Sequence, residues 1–270
     1  MSGAEGVVET SADELTAERM GGAIQHHGCV LVRGLLPGPT VERLVSDIDC
    51  AFDAAETWRQ GDDEAPRQGV EHAPWFEPFA PDARYSLEML NVARRKRDYF
   101  RVLIADSPSA MFDVFEAFEL AGVRAPLTGY LGSRPVLTKF SLRRMPWRPN
   151  NLGWHQERGV FRRPSKAVNF WIALTACGTD APGLEVIPTR MDHLVESPGK
   201  GYALKEGVVE ELGLPPSVAP VFQPGDALVF DDLLLHRTAA REDMHAERYS
   251  IESWFFAPQA FPRTLLPIVF

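Results

Sequence analysis

A mostly β chain with flanking α-helices, arranged as a sandwich or jelly roll, is the fold class this sequence predicts. Two observations carry that expectation. Helical periodicity is confined to the first half of the chain, and from Gly132 onward short apolar runs alternate with turn signals at regular spacing. The length of 270 residues and the hydrophobic fraction of 45% give a core that needs no disulfide or structural metal to hold it.

The elements follow in order. Ser11 to His27 reads as a helix, with Ser11 as cap and Glu14 three positions on, as in a capping box. Gly28 breaks it, and Cys29–Val32 is a short apolar strand. After the Pro37-Gly38-Pro39 turn, Val41, Leu44, Val45, Ile48 and Phe52 recur at helical spacing, which predicts an amphipathic helix over Thr40–Ala55. Gln60–Ala73 is charged and reads as a loop; Ser109–Gly122 is a Phe-rich helix. Strands are expected at Val136–Leu142, Ala167–Thr175, Gly183–Ile187, Ala219–Phe222, Ala227–Phe230 and Tyr249–Phe256. The whole of residues 1–270 is expected to be one domain, with a helical N-terminal part to about 132 and a jelly-roll core over about 133–258.

Composition excludes several classes of function. A formal net charge of −9 disfavours nucleic acid, which needs a basic face. Cys29, Cys50 and Cys177 are scattered and odd in number, which argues against a disulfide framework or a thiolate zinc site and fits a reducing cytoplasm. Met1–Glu14 lacks the basic start and apolar run of a signal peptide, and no apolar stretch is long enough to cross a membrane.

Three signals carry chemistry. In Trp154-His155-Gln156-Glu157, the histidine and the glutamate are two apart, so on a strand both point to one face. One imidazole and one carboxylate are two of the three ligands of a facial triad on non-haem Fe(II), which still needs a second histidine. An H-x-E pair taken alone is equally a polar pair on an exposed strand. Pro224-Gly225-Asp226 then feeds the apolar run that ends at His236. There an imidazole is costly unless paired, either with a metal or, as a plain core histidine, with a backbone carbonyl. Twelve residues on stands Arg248, with Ser250 on the same strand face. The arginine fork grips a carboxylate bidentately, although Glu247 and Glu252 are also available to pair with it.

In combination these segments resemble the phytanoyl-CoA dioxygenase family of Fe(II)/2-oxoglutarate oxygenases. The matching stretches are Trp154–Glu157, Val168–Leu174, Gly183–Pro188, Pro224–His236 and Arg248–Ser250, with Gly28–Leu36 resembling the family's opening. The resemblance implies a double-stranded β-helix (a cupin-like jelly roll) with His155, Glu157 and His236 as iron ligands. It implies Arg248 as the anchor of the 2-oxoglutarate cosubstrate, assisted by Thr238 and Ser250. Trp171 would line the cosubstrate pocket, and Lys139 is a candidate for the cosubstrate's other end. The implied activity is hydroxylation of an unactivated C–H in a small-molecule metabolite, consuming O2 and releasing succinate and CO2. The family usually carries Asp where this chain has Glu157. That residue keeps an anionic oxygen ligand and disfavours a halogenase, which needs a small residue there. Two other readings stand beside this one: an inactive jelly-roll homologue that binds a small ligand, and a cupin-type metalloenzyme without 2-oxoglutarate. Arg248 distinguishes the last from a 2-oxoglutarate enzyme.

From Arg143 to Arg163 the chain carries Arg143, Arg144, Arg148, Arg158, Arg162 and Arg163, and Glu157 is the sole acid. The cluster is interleaved with Trp147, Trp154 and Phe161. Arg158, Arg162, Trp147 and Phe161 are therefore candidates for a basic, aromatic rim that attracts an anionic substrate. The competing reading is that the arginines are solvated or paired with distant acids. His26, His27, His193 and His245 read as structural or solvated, and His72 falls in the charged loop.

Overall fold

The computed structural model describes residues 6–60, 101–103, 108–145, 153–161, 166–196, 203–205, 207–262 and 267–270. The strands are β1 (Val8–Ser11), β2 (Cys29–Arg33), β3 (Arg101–Leu103), β4 (Val136–Met145), β5 (Ala167–Ala173), β6 (Gly183–Val186), β7 (Ala227–Asp231), β8 (His236–Ala239), β9 (Arg248–Phe256) and β10 (Ile268–Val269). The helices are α1 (Ala17–His27), α2 (Gly38–Gln60), α3 (Pro108–Leu120), α4 (Arg124–Leu131), α5 (Arg158–Phe161) and α6 (Val208–Glu211). The larger sheet runs β1-β2-β7-β5-β9-β4-β10, with β3 also on β4, and β6 pairs with β8 in a second sheet. Apart from the parallel pair β1–β2, the ladders are antiparallel.

Both faces of the larger sheet are covered. On β7, Ala227 and Val229 join Ile24, Leu44 and Phe118 in the core under the helices. Leu228 and Phe230 point the other way, into a core shared with Leu184 and Val186 of β6. This double burial leaves every residue of β5 and β7 buried, all apolar except Asn169 and Asp231, with no alternation. A third cluster, including Trp154, Ile187, Met191, Val195, Leu233 and Leu235, packs around the segments that precede and follow the second sheet.

The expected strand at Cys29–Val32, the helix from Thr40 and the strands beginning at Val136, Ala167, Gly183, Ala227 and Tyr249 all form, with ends shifted by a few residues. Two expectations are corrected. The first helix starts at Ala17, capped by Thr16, whose hydroxyl accepts from the Arg19 N–H at 3.1 Å. Ser11 instead ends β1 and leads into a 3₁₀ turn without a side-chain cap. Ala219–Phe222 forms no strand; Phe222 makes an isolated bridge to Cys177, and Val218 another to Val186. The expected loop past Gln60 lies outside the described residues. No described helix is long and apolar enough to cross a membrane.

The Pro224-Gly225-Asp226 turn fixes where β7 begins. Gly225 has φ +90°, its N–H donates to Ala173 O at 2.8 Å, and its carbonyl accepts from Leu36 N at 3.1 Å. Asp226 is buried and accepts from the Gly34 and Gln223 N–H groups and from Arg33 Nη1. A Cβ at Gly225 would lie 2.2 Å from the Leu36 carbonyl oxygen. Gly225→Ala is therefore expected to lower unfolding stability by about 2–3 kcal/mol, through combined strain and overpacking. At Gly38 a Cβ meets nothing within 4 Å, so Gly38→Ala should be near neutral. Denaturant unfolding of the two variants checks the contrast; equal stabilities would contradict the close approach at Gly225.

Candidate metal centre

The second sheet and the segment before α5 build the centre. His155 and His236 face each other in an isolated antiparallel bridge, each N–H donating to the other's carbonyl at 3.1 Å. Their rings lie 4.2 Å apart between centroids. Each Nδ1 sits against the carbonyl two residues earlier, Gly153 O at 2.9 Å for His155 and Leu234 O at 3.0 Å for His236. A carbonyl only accepts, so each Nδ1 carries a proton; in the neutral ring this makes Nε2 the electron-pair donor. Glu157, two residues past His155, brings Oε1 to 3.7 Å from His155 Nε2. The ligand atoms of His155, Glu157 and His236 all lie within 4.8 Å of one another, and all three residues are buried.

This donor set fits a divalent cation. Two imidazole nitrogens and a carboxylate oxygen in one buried space repel one another, and a cation among them removes the repulsion. Burial, and then the neighbouring His155, push the His236 pKa down to about 4, so its imidazole is neutral at physiological pH. Neutral imidazole is the form that ligates a metal.

Beside the triad, the inner face of the larger sheet carries the other expected residues. Arg248 opens β9 and is buried, with its Nη1 donating to the Pro182 and Gly183 carbonyls at 3.3 Å each. Its guanidinium lies 5.4 Å from the Trp171 ring centroid. Ser250 follows on the same face, fully buried. Thr238 lies on β8 opposite Leu184 and next to Ala239, the partner of Gly183, which places it at the corner that Arg248 reaches. Lys139 falls where β4 shifts register against β9, between Thr138 and Ser141.

The proposed substrate rim is not assembled by the described residues. Arg158 is held by Asp232, with Nε to Oδ2 at 2.5 Å and Nη2 to Oδ1 at 2.9 Å. Arg144 pairs with Asp49 at 3.2 Å and Glu247 at 3.7 Å. Phe161 is buried edge-on against Trp254 and Phe256, as a core residue. Trp147, Arg148, Arg162, Arg163 and His72 lie outside the described residues. Pairing with distant acids is thus the reading that holds for Arg144 and Arg158. His26, His27, His193 and His245 are exposed, as expected of solvated residues.

Sequence reasoning missed Gln156, which is buried and donates through Nε2 to Leu233 O at 2.7 Å and His193 O at 3.1 Å. Its Oε1 accepts from Val195 N at 2.8 Å. It also missed Asp232 and Arg237; the latter bonds Glu185 at 2.6 Å and stacks 4.5 Å over Trp154. An available signal was position: Gln156 and Arg158 alternate with the two ligands and so face away from them.

The profile of the phytanoyl-CoA dioxygenase (PhyH) family matches residues 24–242 of the chain. No curated protein sequence matches it. Several solved structures share its fold. AviO1 from Streptomyces viridochromogenes Tue57 aligns at 18% identity and TM-score 0.57, covering 92% of this chain and 98% of that one. EctD from S. alaskensis, solved with 2-oxoglutarate and 5-hydroxyectoine, aligns at 14% and TM-score 0.63, covering 92% and 79%. The epimerase SnoN, solved with Fe3+, alpha ketoglutarate and nogalamycin RO, aligns at 16% and TM-score 0.58, covering 89% and 83%.

His155→Ala and His236→Ala are each expected to abolish binding of Co(II), an oxygen-tolerant probe of the centre, while far-ultraviolet circular dichroism stays unchanged. Calorimetric titration decides the matter. Wild-type affinity in both variants would remove these histidines from the metal site.

Proposed function

The chain belongs to the phytanoyl-CoA dioxygenase family, and from that premise we propose that this non-haem Fe(II)/2-oxoglutarate-dependent dioxygenase hydroxylates an unactivated C–H of a small-molecule metabolite. The reaction consumes one O2 and one 2-oxoglutarate. One oxygen atom enters the product and the other enters succinate, with CO2 released. The observation that carries this reading is the convergence of His155, Glu157 and His236 within 4.8 Å.

In this reading His155, Glu157 and His236 are the residues that would hold Fe(II). The iron, with 2-oxoglutarate and O2, supplies the oxidising power. The chain's own residues bind and orient. Arg248 anchors the distal carboxylate of 2-oxoglutarate through its charged fork, with Thr238 and Ser250 as hydroxyl partners. Trp171 walls the pocket beside the guanidinium, 5.4 Å from its ring centroid; Lys139 is the alternative anchor. The buried carbonyls of Pro182 and Gly183 fix the Arg248 side chain before any cosubstrate arrives, which limits the entropy lost on binding. Glu157 serves as the anionic ligand in place of the family's usual Asp. Residues 1–270 act as one oxygenase domain. A cytoplasmic setting is supported by three free, dispersed cysteines.

The direct test is succinate release from 2-oxoglutarate by the Fe(II)-loaded protein, screened against a metabolite panel. Release that requires both Fe(II) and O2 and rises with one panel member is expected; none under any condition would favour the inactive homologue. Arg248→Leu should raise the KM for 2-oxoglutarate about ten- to a hundredfold, since a charge-assisted bond contributes roughly 1.5–3 kcal/mol. Co(II) affinity should stay near wild type. An unchanged KM would move the anchor to another residue, with Lys139 next.

A further inference from the structure

The segment that carries two of the ligands is held to the segment that carries the third by more than the bridge between the histidines. Along residues 155–158 the odd positions, His155 and Glu157, face the centre. The even positions, Gln156 and Arg158, reach across to the turn between β7 and β8. The Arg158 N–H donates to Asp232 O at 2.8 Å, and its guanidinium grips the Asp232 carboxylate with two parallel bonds. Asp232 is almost fully buried, so the pair is shielded from solvent on the acid's side. Gln156 adds a bond to Leu233 O one residue further along the same turn, and two bonds to the 193–195 segment.

We propose that Arg158, through Asp232 and with Gln156, is a positioning residue of the metal centre. The pair sets the spacing between Glu157 and His236. The physical reason is leverage. Glu157 is flanked on both sides by residues tied to the 232–233 turn, and that turn enters β8 at His236 only a few residues later. Glu157 also has one methylene more than the Asp usual in the family, so its oxygen has more freedom to miss the metal. A backbone pinned at Gln156 and Arg158 removes part of that freedom. The assignment also accounts for the arginine at position 158 without a substrate: its charge balances a buried carboxylate whose neighbour Asp231 is itself pushed up to about 6, chiefly by burial.

This inference rests on the metal-binding reading, and the experiment separates the two. Co(II) binding to the wild type, Arg158→Lys, Asp232→Asn and Gln156→Met is measured by calorimetry without 2-oxoglutarate. The visible d–d spectrum of each Co(II) complex and the Tm of each metal-free protein are recorded alongside. Arg158→Lys keeps the charge and loses the fork; Gln156→Met keeps the volume and loses the bonds. Each is expected to raise the Co(II) Kd about ten- to a hundredfold, the range for residues that orient ligands without touching the metal, and to alter the d–d spectrum. Arg158→Lys combined with Asp232→Asn should cost no more affinity than the worse single change, because both remove one interaction. A lowered Tm with wild-type Co(II) affinity and spectrum in Arg158→Lys and Gln156→Met would overturn the proposal in favour of a purely structural pair. Failure of the wild type to bind Co(II) would instead overturn the metal reading beneath it.

Discussion

The two-residue bridge between His155 and His236 is the constraint on which the rest of the centre depends. Each histidine supplies the other's backbone hydrogen bonds, so neither main-chain position can move without breaking the pairing that places its partner. The two rings are then oriented by the same local device, an Nδ1 proton held by the carbonyl two residues back. Preorganisation here is a backbone property first. The side chains inherit it, and the ring orientation, with Nδ1 on its local carbonyl, follows without any remote partner.

Two layers of packing keep that arrangement rigid. On one side, Leu228, Phe230 and Trp254 of the larger sheet meet Leu184 and Val186 of the smaller one. On the other, Trp154 and Leu235, neighbours of the two histidines, pack with Ile187 and Val195. The polar centre is thus bounded by apolar clusters that exclude water and strengthen each electrostatic contact inside. Arg248 shows the same principle from the opposite sheet. Burying a guanidinium is costly unless its donors and its face are matched, and here two carbonyls and the Trp171 ring supply part of that match.

Much of this was legible in the sequence, and the gaps have physical causes. β5 and β7 stood out because burial on both faces leaves a run that is apolar at nearly every position. The H-x-E spacing and the family resemblance singled out His155, Glu157 and His236, and the fold brings the three together. The partners of the residues between and beside them were not legible: Gln156 and Arg158 bond to segments far along the chain, and no local pattern names such a partner. β8, with the sequence HRTA, has no apolar alternation and exists because β6 pairs with it. The helix start was misplaced because Ser11 and Thr16 are both competent caps, and the pairing of β1 with β2 commits Ser11 to a strand. Arg144 and Arg158 looked like part of a rim because their acids, Asp49 and Glu247 for the one and Asp232 for the other, arrive from elsewhere in the fold.

The three candidate ligands stand on the side of the smaller sheet, whereas Arg248, Ser250 and Trp171 stand on the larger one. A cosubstrate chelated at one end and gripped at the other would therefore act as a strut between two sheets that share an apolar core and are joined by the Arg248 bond to Gly183 O. Its binding energy would then be shared with the closure of the sandwich. By thermodynamic linkage, metal and cosubstrate would each tighten the other's hold, and together they would shield the sheet-to-sheet seam from hydrogen exchange more than either does alone.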